Sequence, residues 1–115
     1  LQILAILGEL DNPDIDVDGC VRFVAGLQQP DGSFAGDRFG EVDTRFTYCA
    51  VSALDILGRL DAIDVEKAAE YLARCRSFDG GFGAVPGAES HAGQVFCCVG
   101  ALSILRRLDL VHRPA

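Results

Sequence analysis

The chain has 115 residues, half of them hydrophobic and 23% charged, with a net charge of −7. That length allows one domain, and that balance suits a packed core rather than a disordered tail. The acidic excess repels a phosphate backbone, so no nucleic-acid partner is expected, and no apolar run approaches the roughly 20 residues that span a bilayer.

The sequence opens in mid-pattern. It contains no methionine, and Leu1–Leu10 reads as the end of an apolar helix without its start. The chain is therefore read as a fragment of a longer protein, with no signal-peptide architecture. Asp14–Gly19 imitates the beginning of a calcium-binding loop. Its twelfth position is Ala25, where such a loop needs a bidentate Glu. These Asp residues are then an acidic linker and a helix N-cap. The run Asp18-Gly19-Cys20 corresponds to Glu66-Lys67-Ala68 on an outer helix and is not a metal site.

Internal repetition sets the organisation. Asp16 to Ile63 aligns on Asp64 to Val111 at an offset of 48 without a gap. Asp31-Gly32-Ser33-Phe34 falls on Asp79-Gly80-Gly81-Phe82, Glu41 on Glu89, Cys49 on Cys97, and Arg59-Leu60-Asp61 on Arg107-Leu108-Asp109. Leu4–Asp11 also matches Leu54–Asp61. The chain thus divides into the tail of one repeat (1–15), a second repeat (16–63), a third (64–111) and the start of the next (112–115).

Each repeat is expected to hold two helices. The first spans Val17–Gln28 and then Val65–Arg76. In the second copy Val65, Ala68, Ala69, Leu72 and Cys75 form one apolar face, with Glu66, Lys67, Glu70 and Arg74 off it. Asp64 is a good N-cap, Glu70 and Arg74 are spaced for an i,i+4 pair, and Gly32 and Gly80 suit a left-handed helix exit. The second helix spans Thr44–Leu60 and then His91–Leu108. Its apolar residues cover almost every face, which predicts burial all round. An outer layer of amphipathic helices and an inner layer of more buried ones follows. The 48-residue period permits a closed α/α toroid or an open solenoid.

Five cysteines follow no framework spacing and include no CxxC. They read as free, buried thiols of a reducing compartment, not as a zinc knuckle. Cys97 and Cys98 are adjacent, about 100° apart on a helix, and do not readily share one tetrahedral metal. His112 sits beside Arg113 and Pro114 and reads as solvated.

The two inner helices begin at equivalent places, Gly40-Glu41-Val42-Asp43-Thr44-Arg45 and Ala88-Glu89-Ser90-His91-Ala92-Gly93. In a two-layer ring both N-termini open at the same end of the cavity. Helix N-termini carry unpaired N–H groups and partial positive charge, so they favour anions. Arg45 adds a charge, His91 a donor, and Gly93 lets a ligand approach the backbone. A phosphate-bearing ligand in a cavity lined by cysteine and aromatic side chains fits this arrangement. The alternative is that His91 and Arg45 only cap, or pair with Glu89 and Glu41, while Tyr48, Phe96 and Cys97 are plain core.

The segments GEVDTRFTYCAVSAL and FDGGFGAVPGAESHAGQVFCCVGAL resemble the repeats of protein prenyltransferase β subunits, and the resemblance covers essentially the whole chain. Ser-His-Ala-Gly-Gln followed by Phe-Cys-Cys resembles the type II geranylgeranyl branch most. The farnesyl and type I branches tend toward His-Gly-Gly and Phe-Cys-Gly here. The resemblance implies an all-α fold, part of an α/α toroid. It implies transfer of a geranylgeranyl group from its diphosphate to C-terminal cysteines of Rab GTPases. By match, His91 is the catalytic candidate, and His91, Ala92 and Gly93 fall where the family binds the diphosphate. Arg45, Tyr48 and Cys97 fall on positions lining the isoprenoid cavity. The implied cofactor is zinc, with its Asp, Cys and His ligands beyond Ala115, so no metal ligand is expected within the chain. The implied partners are a prenyltransferase α subunit and a Rab GTPase presented by an escort protein, in the cytoplasm and without stable membrane insertion. The chain alone is expected to be inactive. A terpenoid cyclase is a rival, but there is no tryptophan and no DxDD acid. A non-catalytic repeat module is another, but it would carry its special residues on exposed faces, whereas here they are expected at buried helix starts.

Overall fold

The computed structural model describes residue 8 and residues 16–37 and 40–111. The calcium-loop residues Asp14 and Ile15, the tail of the first repeat apart from Gly8, and His112 lie outside the described residues. The described part is α-helical, with only isolated β-bridges. Four α-helices run in order: α1 Val17–Ala25, α2 Thr44–Ile56, α3 Val65–Arg74 and α4 Ala92–Ile104. Single 3-10 turns follow α2 at Leu60–Ala62 and α4 at Leu108–Val111. Each helix ends two to four residues before its sequence-based expectation. The residues beyond it turn back into loops that dock on the neighbouring helix.

Repeat equivalence is carried by local chemistry. Asp16 caps α1 by accepting the Gly19 N–H at 2.9 Å, and Asp64 caps α3 by accepting the Lys67 N–H at 3.1 Å. After each outer helix comes a small hairpin, bridged Gln28 to Phe34 and Arg76 to Phe82. Gln29 N–H reaches Ser33 O and Gly32 N–H reaches Gln29 O, and the same pattern joins Ser77, Gly80 and Gly81. Gly32 and Gly80 are left-handed, with φ +95° and +90°. They serve as the bulge glycines of three-residue hairpins, not as helix exits as the sequence suggested.

Packing follows the two-layer expectation. The amphipathic face of α3 is buried, with Ala68, Ala69 and Leu72 at 0% exposure and Cys75 at 1%. Phe34 and Phe82 are buried from equivalent hairpins. Arg59 pairs with Asp18 at 3.2 Å, and the equivalent Arg107 pairs with Glu66 at 2.5 Å, which ties each outer helix start to the end of its inner helix. The helices α2 and α4 form the most extensive helix pair. Thr44 meets Gln94 and Tyr48 meets Phe96 in the same order along both, so the two helices run parallel.

The inner helices are not buried all round. On α2 Thr44, Thr47, Ala50, Val51 and Leu54 are buried, and on α4 only Cys98, Ala101 and Leu102. The outer α3 is buried to a comparable degree at Ala68, Ala69, Tyr71 and Leu72. The four described helices close no ring, and among the described residues nothing covers the face of α2 and α4 turned away from the outer layer. Phe96 is 66% exposed on that face.

Both inner helices end in a Schellman motif. After α2, Gly58 N–H bonds Asp55 O and Arg59 N–H bonds Leu54 O. After α4, Arg106 N–H bonds Ser103 O and Arg107 N–H bonds Leu102 O. Gly58 has φ +68°, as the motif prefers, but its equivalent is Arg106 at φ +60°. An L-residue there costs about 1–2 kcal/mol, while glycine gives back part of that through the freer unfolded chain. Arg106→Gly should therefore stabilise the protein by about 0.5–1 kcal/mol. Denaturant unfolding of the two forms reads this directly, and an unchanged or lower midpoint would refute it.

Candidate functional site

The two inner helix starts hang on one backbone segment. Thr44 N–H donates to Ala84 O at 3.0 Å, and Thr44 Oγ1 to Gly83 O at 3.1 Å. His91 N–H donates to Phe82 O at 3.1 Å. Residues 82–84 thus bracket both starts. Glycine is required at 83, because an added Cβ would sit 2.8 Å from Ala88 O and 2.9 Å from Glu89 O. Ser90 Oγ donates to Asp79 at 2.7 Å, and the Ser77 hydroxyl and Gly81 N–H also donate to Asp79. These hydroxyls hold the Asp79 carboxyl down to about 2. They fix the loop that delivers His91. A separate cleft of about 510 Å³ lies behind this loop, lined among others by Arg76, Phe78, Asp79 and Ser90.

His91 is the N-cap of α4, at the position where α2 has Asp43. Its Nδ1 accepts the Gly93 N–H at 3.0 Å. An acceptor nitrogen carries no proton, so the neutral ring bears its hydrogen on Nε2. That N–H is an exposed donor with no partner among the described residues. Ala92 and Gly93 beside it are exposed.

Arg45 pairs with Asp43, not with Glu41 as one sequence reading allowed. Asp43 Oδ1 accepts the Arg45 N–H and Oδ2 the guanidinium, both at 2.8 Å. Asp43 is 7% exposed, whereas the Arg45 side chain is 58% exposed. Burial alone would raise the Asp43 carboxyl, but the bonds from Arg45 outweigh it and leave it below the ordinary aspartate value. Asp43 stays ionised and holds the guanidinium beside the helix start.

Tyr48 and Cys97 stand on the open face. Tyr48 meets Phe96 edge to face, with centroids 5.5 Å apart. The tyrosine ring also lies against Gly100, where an added Cβ would come within 2.9 Å. Cys97 is half-buried, and burial raises its thiol while Arg45 pulls it back. The thiols as a group are less buried than expected: Cys49 is exposed, Cys20 and Cys97 are intermediate, and only Cys75 and Cys98 are buried. Burial pushes Cys75 up to about 11 and Cys98 up to about 12.

The structure therefore places Arg45, Tyr48 and Cys97 along the open face, and sets His91, Ala92 and Gly93 at one end of it. No hydrogen bond joins His91 to Arg45 among the described residues. The sequence reading missed Asp43, Thr44 and Gln94, which support the site. The signal was present in the repeat: Asp43 falls on His91 at the 48-residue offset, and both are N-caps. Among the described residues no three His, Cys, Asp or Glu side chains converge as metal ligands, and no helix is long and apolar enough to cross a membrane.

The whole chain, residues 1–115, matches the prenyltransferase alpha-alpha toroid domain. It is 62% identical over 40 residues to the geranylgeranyl transferase type-2 subunit beta of Candida albicans, covering 35% of this chain and 12% of that protein. It is 57% identical over 63 residues to the protein of the same name from Saccharomyces cerevisiae, covering 52% of this chain and 19% of that protein. Each match thus spans a minor part of the relative's length. Among solved structures, the Candida albicans protein geranylgeranyltransferase-I complexed with GGPP superposes with a TM-score of 0.79 at 23% identity. That superposition covers 94% of this chain and 35% of the other, and it bears on the fold alone.

Proposed function

Since the chain belongs to the prenyltransferase α/α toroid family, we propose that it is part of the β subunit of a type II protein geranylgeranyltransferase. The substrates on this reading are geranylgeranyl diphosphate and the C-terminal cysteines of Rab GTPases presented by an escort protein. An α subunit completes the enzyme, which works in the cytoplasm. The names of the two curated relatives favour the type II assignment over the farnesyl and type I alternatives.

The observation that carries the reading is the pairing of two capped helix starts with one open apolar face. At the starts stand an exposed imidazole donor and a carboxylate-held guanidinium. Along the face stand Tyr48, Phe96 and Cys97. A diphosphate head suits the first and an isoprenoid chain the second. Each buried CH₂ of such a chain contributes roughly 0.8 kcal/mol.

The reaction breaks the bond between C1 of the isoprenoid and the diphosphate oxygen, as the acceptor thiolate forms the new C–S bond. The electron pair of the broken bond stays on the diphosphate. His91 Nε2–H and the Arg45 guanidinium stabilise that growing charge, which lowers the barrier more than it tightens ground-state binding. The family's zinc would activate the acceptor thiol. The family resemblance assigns its ligands beyond Ala115, and no step here runs through it.

Thiol protection in the intact heterodimer tests the reading. A thiol reagent should modify Cys49 first and Cys97 more slowly, and spare Cys75 and Cys98, which are buried and hard to ionise. Geranylgeranyl diphosphate should protect Cys97, and inorganic diphosphate should not. Equal labelling with and without the isoprenoid would sink the proposal.

A further inference from the structure

The helix start that carries His91 is held from the neighbouring repeat. Thr44, the first residue of α2, is wholly buried. Its backbone N–H donates to Ala84 O at 3.0 Å. Its hydroxyl has one proton, shared between Gly83 O at 3.1 Å and Gln94 Oε1 at 2.5 Å. These partners flank His91 on both sides along the chain. Gly83 and Ala84 follow Phe82, whose carbonyl accepts the His91 N–H at 3.1 Å. Gln94 lies in the first turn of α4, next to Val95, whose N–H bonds the His91 carbonyl at 2.9 Å. The Thr44 hydroxyl therefore joins the segment that fixes the His91 N–H to the turn that fixes its carbonyl. The repeat supplies a control. At the 48-residue offset Thr44 falls on Ala92, which begins α4 without a hydroxyl and is exposed. A helix start of this kind thus needs no hydroxyl at that place. A buried hydroxyl costs stability unless it is bonded, and the partners that satisfy this one both flank His91.

We infer that Thr44 is a positioning residue for His91, its hydroxyl fixing the imidazole at the leaving group from the adjacent repeat. This role rests on the proposed binding of the diphosphate at His91. Thr44 is buried and touches no substrate itself. The His91 ring is tied through Nδ1 to the Gly93 N–H, so a tilt in the first turn of α4 swings the Nε2 donor with it.

A double-mutant cycle in the intact heterodimer tests this. Thr44→Val removes the hydroxyl and keeps the branched shape and the backbone N–H. It should slow single-turnover transfer about tenfold, because small misplacements of a catalytic group act on that scale or above. The dissociation constant for geranylgeranyl diphosphate should change by less than about twofold. Thr44→Ser keeps the hydroxyl and should regain most of the rate. In a His91→Ala background Thr44→Val should alter the rate by less than about twofold, because the group it positions is gone. Should Thr44→Val fail to assemble, Thr44→Ala, the residue of the next repeat, removes the same hydroxyl and enters the same cycle. An unchanged rate for the variant without the hydroxyl would overturn the inference. So would a serine variant as slow as the valine one, or a full tenfold loss persisting in the His91→Ala background, either of which leaves Thr44 a packing residue. An unchanged rate for His91→Ala alone would instead remove the leaving-group role of His91, and the positioning role with it.

Discussion

Replacing His91 by alanine in the intact heterodimer should slow single-turnover prenyl transfer by about 10- to 100-fold and weaken binding of the isoprenoid diphosphate far less. The ring Nδ1 is committed to the Gly93 N–H, so the free donor is Nε2. A donor aimed at a leaving group matters most when charge has built on that group. Losing one such donor commonly costs about 10²–10³-fold in rate. The expected loss is smaller because Arg45 shares the charge.

Alanine also removes a cap, which costs about 1 kcal/mol of stability, and two further variants separate the effects. His91→Ser restores a capping oxygen but is too short to reach a ligand. It should recover the melting temperature and leave the rate low. His91→Gln keeps a longer donor and should recover part of the rate. If serine restores the rate together with the stability, His91 is only the cap that Asp43 is in the preceding repeat.

Replacing Gly32 by alanine should destabilise the protein by about 3–5 kcal/mol, at the upper end of single substitutions. Two costs combine. The residue has φ +95°, where an L-side chain is strained by about 1–2 kcal/mol. An added Cβ would also lie 2.2 Å from Lys67 O, inside the backbone of α3, which cannot yield without moving the helix. The hairpin is pinned there by Gln28, which bonds both Asp64 O and Asp64 N–H, and by Arg74, which bonds Asp31 O. The turn cannot simply retreat.

Gly58→Ala isolates the first cost. Gly58 has φ +68° but nothing within 4 Å of an added Cβ, and should lose only about 1 kcal/mol. Denaturant unfolding of both variants should show the difference. Equal losses would mean that the contact between the hairpin and α3 relaxes freely, and that repeat-to-repeat docking here is soft.

What the sequence determined by itself is what forms within a few residues of chain. The 48-residue repeat is read directly from the sequence, and the amphipathic face of α3 and the caps Asp16 and Asp64 rest on relations three or four residues apart. Left-handed glycines at 32 and 80 were legible for the same reason, since φ is a local property. Their purpose was not. Whether such a glycine ends a helix or forms a hairpin bulge depends on bonds that close beyond it.

The openness of the inner face was also misread from composition. An apolar stripe records what a helix is able to bury, not which neighbours are present to cover it. The site divides along the same line. His91, Arg45, Tyr48 and Cys97 stood out by residue type, position and family resemblance. The Asp43 clamp on Arg45 is a contact two residues apart that the sequence reading passed over, whereas the tie from Thr44 to Gln94 between repeats emerged only when α4 was laid parallel to α2. Contacts 50 residues apart, such as Thr44 to Gln94, leave no mark on local periodicity, because the docking of two helices, not the chain between them, fixes their distance.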